Sequence, residues 1–168
     1  MGAPRPLSTV ELRPYEAARD RAALAAMAQE VVDDGEMFVY ESVEPVLGYW
    51  FEDGGAIWVA ERDGEVAGTY VLKPNHEGRG AHVANAGYMV RRRARGSGIG
   101  RLLGEHSIEQ ARRLGYRAMQ FNMVVATNAA AVELWKRLGF DVAGTLPGAF
   151  RHPARGFVDA YVMYRALR

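Results

Sequence analysis

The sequence contains no cysteine and no long apolar run. Without cysteine the chain cannot form disulfides, thiolate zinc sites or a cysteine nucleophile, and it is compatible with a reducing compartment. No apolar segment approaches the roughly 18 residues that a membrane-spanning helix requires. Residues 1–16 also lack the apolar middle region of a secretory signal peptide. We therefore expect a cytoplasmic protein with no membrane partner.

A strong excess of charge is also missing. The 168 residues include 21 Lys and Arg against 20 Asp and Glu, which gives a formal net charge of +1. This near balance provides no general attraction to nucleic acid, and no nucleic-acid partner is expected. Apolar residues make up 49% and charged residues 24%, as in ordinary globular proteins. The length predicts a single domain over residues 1–168.

Hydrophobic periodicity and turn residues predict a mixture of strands and helices. The predicted strands are 9–13, 56–62, 66–73, 82–90, 118–125, 140–145 and 157–164, and the predicted helices are 17–32, 45–51, 96–114 and 128–138. Asp63-Gly64 indicates a two-residue hairpin turn. Ser42 is a candidate cap of the second helix, and residues 147–156 are expected to connect the last two strands. A hairpin followed by strands that helices separate favours an α/β sandwich on a mixed sheet.

The segment Val90–Gly100 contains three glycines and four arginines where a strand is followed directly by a helix. Backbone N–H groups at such a turn lack partners within the helix, and the helix dipole adds partial positive charge, so an anion such as phosphate is stabilised there. The glycine spacing matches neither a Walker loop nor a dinucleotide-binding fingerprint. A tight connection without a ligand is the alternative.

Two motifs make the chain resemble the GNAT superfamily of acyl-CoA-dependent N-acetyltransferases. The superfamily's acyl-CoA motif, Gln/Arg-x-x-Gly-x-Gly/Ala, is matched by Arg95-Gly96-Ser97-Gly98-Ile99-Gly100. The second motif, Asn followed by an apolar helix that ends in Gly-Phe, is matched from Asn128 to Phe140. The resemblance implies an α/β (α+β) fold with a mixed, mostly antiparallel sheet of six or seven strands and about four flanking helices.

The resemblance also implies acetyl-CoA as cosubstrate, with no metal. Backbone N–H groups of Gly96, Ser97, Gly98, Ile99, Gly100 and Arg101 would hold the pyrophosphate. The pantetheine arm would pair near Met89 and Val90, where a backbone N–H would polarise the thioester carbonyl. Asn128 is expected to cap its helix and to contact the pantetheine. The arginine run Arg91–Arg95 would contact CoA phosphates or face solvent.

The chain departs from the superfamily at the positions of the acid and the base. Trp135 occupies the position of the Tyr that protonates the leaving thiolate in many relatives, and we interpret it as a core aromatic residue. Ala84 and Ala86 occupy the usual positions of a base on the fourth strand. The remaining candidates for the base are Glu41, His82 and ordered water, and water is the preferred interpretation.

A narrower resemblance concerns a subgroup of the family that acetylates proline analogues such as L-azetidine-2-carboxylate. It rests on Lys73-Pro74-Asn75, Gly78-Arg79, His82, Asn85-Ala86-Gly87 and Phe121-Asn122 to Thr127-Asn128. The subgroup's active-site asparagines on strands four and five correspond to Asn85 and Asn122. Both are expected to line the acceptor pocket, with structural hydrogen bonding as the alternative.

The resemblance favours an enzyme that acetylates a small-molecule amine. Two other functions stay open: acetylation of a protein N-terminus or lysine, and a non-catalytic acyl-CoA-binding module, which the missing Tyr and base leave possible. A homodimer is a further expectation from the family.

Overall fold

The computed structural model describes residues 9–52 and 54–167 of the chain. Within them the elements are, in chain order, β1 (Val10–Pro14), α1 (Ala17–Asp34), α2 (Val43–Phe51), β2 (Ala56–Arg62), β3 (Glu65–Pro74), β4 (Val83–Val90), α3 (Ile99–Arg113), β5 (Ala118–Val125), α4 (Ala129–Arg137), β6 (Asp141–His152) and β7 (Gly156–Ala166). Two single 3₁₀ turns lie at Gly78–Gly80 and Arg92–Ala94. No helix in these ranges is long and apolar enough to cross a membrane.

The seven strands form a single sheet in the order β1-β2-β3-β4-β5-β7-β6. Every neighbouring pair is antiparallel except β4 and β5, which are parallel. Helices α1 and α2 pack on one face against Val59, Val71 and Met89. Helices α3 and α4 pack on the opposite face against the core that contains Tyr70 and Phe121. The mixed, mostly antiparallel sheet with four α-helices confirms the predicted fold class.

The parallel pair β4–β5 separates soon after it begins. Only Val83 with Ala118 and Ala84 with Met119 are paired between these strands. Strand β4 continues its pairing with β3 as far as Val90, while β5 follows β7 through a shift of register between Phe121 and Val124. A gap therefore opens in the sheet between the C-terminal halves of β4 and β5.

Two turns show why local sequence was informative. Asp63 and Gly64 both have positive φ, 53° and 79°, as a type I′ hairpin turn requires, so the predicted hairpin between β2 and β3 is confirmed. The predicted start of the third long helix at residue 96 is wrong, because α3 begins at Ile99. Gly96 and Gly98, at φ 73° and 88°, hold a left-handed turn that cannot belong to the helix.

The prediction for the C-terminal region was also wrong in part. Residues 147–156 are not a separate connection, because β6 extends through Pro147 as far as His152. The strand tolerates proline there because the register shifts between Leu146 and Phe150, and because β6 is at the edge of the sheet. Ser42 precedes α2 as predicted, but its side chain makes no capping hydrogen bond.

A buried ion pair joins the first strand to the first helix. The Nη1 and Nη2 groups of Arg13 donate to the two carboxylate oxygens of Asp20 at 2.7 and 2.8 Å, and the N–H of Glu16 donates to the same carboxylate at 2.8 Å. Asp20 is 0% exposed. The Arg13 hydrogen bonds hold the pKa of Asp20 below its ordinary value, although burial acts in the opposite direction.

We expect Asp20→Ala to lower the free energy of unfolding by about 2 to 3 kcal/mol, because it removes the buried carboxylate that accepts from both terminal nitrogens of Arg13 and leaves Glu61 as the remaining acidic partner of that guanidinium. The native pKa of Asp20 lies below the unfolded value of about 3.9, so the carboxylate's contribution is present above that pH and is lost as pH falls through the native pKa. In denaturant titrations, the stability difference between wild type and Asp20→Asn should therefore shrink from about pH 7 to about pH 3. An equal difference at both pH values would contradict this assignment.

Candidate active site

A cavity of about 490 Å³ passes through the gap between β4 and β5. On the side of α3 and α4 it is lined by Gly96 and Gly100, which belong to the turn before α3 (residues 96–100, called the glycine turn below), and by residues that include Asn128, Leu134 and Trp135. On the side of α1 and α2 it is lined by Met37, Phe38, Val39, Tyr40, Tyr49, Asn85, Gly87 and Asn122. The gap thus joins two compartments. The first compartment lies next to the glycine turn, and the second compartment lies next to the loop between α1 and α2.

The glycine turn presents unpaired backbone donors to the first compartment. Within the described chain, no ordinary hydrogen bond joins the backbone N–H groups of residues 96–101 to another residue. Gly96 and Gly100 line the cavity, and a Cβ at Gly96 or Gly98 would meet nothing within 4 Å. Open space around successive N–H groups at the start of α3 is the geometry that binds phosphate.

The arginine run next to this turn is largely paired with acids. Arg91 forms an ion pair with Glu30 at 3.0 Å, and Arg92 and Arg95 form ion pairs with Asp34 at 2.6 and 2.7 Å. The backbone N–H of Arg92 also donates to Glu30 at 2.7 Å. Burial acts to raise the pKa of Asp34, but the hydrogen bonds and charges of Arg95 and Arg92 outweigh it and hold that pKa below its ordinary value.

Arg92, Arg93 and Arg95 are exposed, as one of the two expectations for this run required, although each also pairs with an acid. Arg93 likewise pairs with Glu65. The run ties the turn to the C-terminal end of α1, and Arg95 alone among these arginines also lines the cavity. Arg101 pairs with Glu105 on the exposed face of α3, so the part of Arg101 that faces the turn is its backbone N–H.

The hydrogen bonds between β3 and β4 determine which backbone N–H and C=O groups of β4 face the gap. The N–H of Arg91 donates to Ala67 of β3 at 2.9 Å, and the β3–β4 register is unbroken. Because backbone groups alternate along a strand, those of Met89 also point to β3, whereas those of Tyr88 and Val90 point to the gap. The side chain of Met89 is only 1% exposed and lies in the core. Val90 thus reaches the cavity, and Met89 does not.

Asn85 and Asn122 both line the compartment next to α1 and α2. Asn122 is exposed rather than buried, and its amide donates to Asn75 Oδ1 at 2.7 Å and accepts from Gln120 at 3.0 Å. The β3–β4 register runs past Gly87 without a bulge. Asn85 therefore shares a sheet face with Gly87.

Asn128 begins α4 as predicted. Its Oδ1 accepts from the N–H of Ala131 at 3.3 Å, and the residue also lines the cavity. Gly139, at φ 82°, stops the chain from continuing as helix. One side chain thus caps the helix and borders the first compartment.

Trp135 packs within an aromatic cluster. It is 8% exposed, and its ring centroid lies 4.8 Å from that of Tyr88 and 4.6 Å from that of Phe121. Its interpretation as a core residue is confirmed. Burial raises the pKa of the neighbouring Tyr88 hydroxyl, although the hydrogen bond with Ser107 acts in the opposite direction. Tyr88 is accordingly a weak acid in this state.

The two side chains considered as a base do not line the cavity. Glu41 pairs with Arg151 of β6, and His82 is exposed at the start of β4. The titratable lining residues in the described chain are Arg95 and three tyrosines, Tyr40, Tyr49 and Tyr88.

The sequence analysis did not identify Tyr49 as a cavity residue, because an aromatic residue on a short amphipathic helix is ordinarily a packing residue. No group of three or more His, Asp or Glu that could hold a metal occurs in the described ranges.

Comparison with known proteins gives the same class of fold. Residues 16–140 match the model of the Acetyltransferase (GNAT) family. A GCN5-related N-acetyltransferase from Kribbella flavida is 42% identical, with a TM-score of 0.88 over 94% of this chain and 97% of that chain. A ribosomal-protein-alanine N-acetyltransferase from Brucella melitensis is 29% identical, with a TM-score of 0.81 over 93% of this chain and 99% of that chain.

The curated N-acetyltransferase aca1 from Schizosaccharomyces pombe is 41% identical over 96 residues, which make up 56% of this chain and 46% of that protein. The match spans less than half the length of the curated relatives found. The chain belongs to the Acetyltransferase (GNAT) family, as predicted. It therefore has the fold of an acyl-CoA-dependent N-acetyltransferase, a class of enzyme whose cosubstrate is acetyl-CoA.

We expect Trp135→Phe to retain kcat within about tenfold of wild type while lowering the free energy of unfolding by about 1 to 2 kcal/mol, because a smaller ring leaves the aromatic cluster underfilled. Thermal unfolding and steady-state kinetics at saturating substrates check the two effects separately. A fall of about 100-fold or more in kcat, with folding and CoA affinity intact, would instead indicate lost acid–base catalysis.

Proposed function

We propose that this chain forms one cytoplasmic domain that transfers an acetyl group from acetyl-CoA to the amine of a small molecule. The observation that carries the proposal is the cavity through the gap between β4 and β5. It connects a phosphate-binding type of turn on one face of the sheet with a second compartment on the other face. The two substrates of a direct transfer need to meet in this way.

The first compartment suits CoA. The N–H groups of residues 96–101 would hold the pyrophosphate, with Arg95 beside them. The pantetheine would run along the open edge of β4, past Asn128, and pair with the backbone of Val90. Pairing at this edge is possible because β5 has left β4 without a partner there. Met89 would support this edge from the core.

The chemistry requires a neutral amine. Its lone pair attacks the thioester carbonyl carbon, a C–N bond forms, and the tetrahedral intermediate expels CoA as the C–S bond breaks. A backbone N–H of Tyr88 or Val90 that faces the gap would stabilise the oxyanion. A thiol with a solution pKa of about 8.5 leaves readily as thiolate. Water would accept the amine proton, since neither candidate side-chain base lines the cavity.

The second compartment suits a small acceptor. Asn85 and Asn122 can orient an amine, or a carboxylate next to it, and neither amide adds a negative charge that would keep the amine protonated. The walls around them include Met37, Phe38 and Tyr40. This combination of neutral amides and apolar walls supports a small organic amine as acceptor.

Acetylation of a protein N-terminus is the second candidate. It is supported by the likeness to the Brucella melitensis protein, whose name assigns it to ribosomal-protein alanine. A non-catalytic acyl-CoA-binding module is a third possibility. A homodimer stays a prediction from the family.

Thiol release from acetyl-CoA in the presence of amino acids, proline analogues and simple amines tests the proposal. Release with at least one small amine, together with the mass of the acetylated product, supports it. Mass spectrometry on peptides with free N-termini tests the second candidate. Acetyl-CoA binding without thiol release for any amine or peptide would favour the non-catalytic module.

Gly100 allows a direct test of the pyrophosphate site. A Cβ at Gly100 would lie 3.6 Å from Leu134 Cδ2, which is an ordinary contact, so the fold should tolerate substitution. The larger side chain of Gly100→Val should block approach to the backbone and raise the calorimetric Kd for CoA by about tenfold. Gly144→Ala on β6, where a Cβ meets nothing within 4 Å, is the control. Unchanged affinity in folded Gly100→Val would exclude this site.

The two asparagines of the second compartment are tested by kinetics. We expect Asn85→Ala and Asn122→Ala each to lower kcat/KM for the acceptor by about tenfold while leaving CoA affinity near that of wild type, because each removes a hydrogen bond that orients the amine. If both variants lose thermal stability but keep the full kcat/KM, the asparagines are structural.

A further inference from the structure

We propose that Tyr49 contacts the acceptor and that Lys73 positions the Tyr49 ring. The second compartment then selects amines with an apolar body. This inference rests on the proposed function, because it assigns a residue of the same cavity. It concerns helix α2, which lies outside the two sequence motifs at residues 95–100 and 128–140. Three observations carry it: the space reserved for the Tyr49 ring, the way Lys73 holds that ring, and the position of the ring in the cavity.

Strand β4 makes room for the Tyr49 ring by having glycine opposite it. A Cβ at Gly87 would lie 2.9 Å from Tyr49 Cε1 and 3.0 Å from Trp50 Cη2. Trp50 is only 1% exposed and cannot easily move. Any side chain at Gly87 would therefore displace α2 or turn the Tyr49 ring. The glycine permits an approach of the ring to the strand backbone that no other residue would allow.

Lys73 holds the same ring from β3. Its Nζ donates to the backbone oxygen of Tyr49 at 2.9 Å and lies 3.4 Å from the Tyr49 ring centroid. Lys73 is only 8% exposed, an unusual position for an ammonium group. Stabilisation by a ring face and a carbonyl oxygen compensates in part for the lost hydration. One side chain thus restrains both the backbone and the ring of Tyr49.

The restrained ring stands at the gap. Tyr49 lines the cavity together with Asn85, and Asn85 is the register partner of Lys73. Tyr88 of β4 lines the same cavity. A ligand that reaches through the gap towards Asn85 would therefore pass the Tyr49 ring.

Tyr49 offers an acceptor both a flat apolar face and a hydroxyl. With Phe38 and Tyr40 on the same side, the compartment provides aromatic contacts around its amide groups. Such walls favour an amine that carries an aromatic or aliphatic body over a second cation. We therefore expect wild-type protein to acetylate phenethylamine with a higher kcat/KM than putrescine. A preference for putrescine would overturn this part of the inference.

Two substitutions of Tyr49 test its contact with the acceptor. Tyr49→Phe keeps the ring against Lys73 and removes only the hydroxyl, and it should raise KM for phenethylamine by about three- to tenfold. Tyr49→Leu also removes the aromatic face and should lower kcat/KM by tenfold or more. KM for acetyl-CoA should stay near that of wild type, because Tyr49 lies in the second compartment, away from the glycine turn. Tyr164→Phe, on β7 outside this cavity, is the matched control.

A double-mutant cycle tests the positioning role of Lys73. Lys73→Met should raise KM for phenethylamine in the wild-type background and should have little further effect in the Tyr49→Leu background, because the ring that it positions is gone. Lys73→Arg, which keeps a cation over the ring, should restore part of the loss. Thermal unfolding of each variant separates these effects from a general loss of stability.

The outcomes separate this inference from the proposed function. If wild-type protein releases thiol with phenethylamine and the two Tyr49 variants match it in both KM values, Tyr49 does not contact the acceptor. Additive effects of Lys73→Met and Tyr49→Leu would show that Lys73 acts on the fold alone. If wild-type protein releases no thiol with any amine, the proposed function itself fails.

Discussion

Strands β4 and β5 remain paired over only two residue pairs, and the arrangement of the cavity depends on this early separation. A sheet strand normally satisfies its backbone groups on both edges. Here the open edge of β4 carries backbone groups that require a partner from outside the sheet. The register shift in β5 directs that strand towards β7 and keeps the gap open. The same interruption provides a passage from one face of the sheet to the other.

Ion pairs at the end of α1 also connect the two compartments. Asp34 is the last residue of α1, and it pairs with Arg92 and Arg95 immediately before the glycine turn. Gly35 follows it and leads into the loop that carries Phe38 and Tyr40. The segment that would hold phosphate and the segment that would contact the acceptor therefore share one anchoring point on α1. Partly buried ion pairs of this kind depend on geometry and are less screened by salt than exposed ones.

Features coded by adjacent residues could be predicted, and features made by distant residues could not. The glycine turn, the hairpin at Asp63-Gly64 and the cap at Asn128 each depend on a few neighbouring positions, and each was evident in the sequence. The face occupied by Asn85 could not be predicted, because it depends on whether Gly87 produces a bulge or makes room for α2. Tyr49 and Lys73 are 24 residues apart, and only the packing of α2 on β3 brings them together. The ion pairs of Arg91, Arg92 and Arg95 likewise depend on α1, which supplies Glu30 and Asp34.

Strand β6 affects how the molecule behaves next to its own copies. It is the last strand in the sheet order and most of its residues are exposed, and such an edge can template pairing with another chain and so promote aggregation. Pro147 has no N–H to offer, and the register shift between Leu146 and Phe150 bends the strand at the same point. A second shift lies between Val142 and Gly144, so the regular stretches of β6 that could pair with another chain are no longer than Gly144–Leu146 and Phe150–His152. Pro147 and the adjacent register shift, which made the end of β6 hard to predict from sequence, thus also limit edge-to-edge aggregation of the protein.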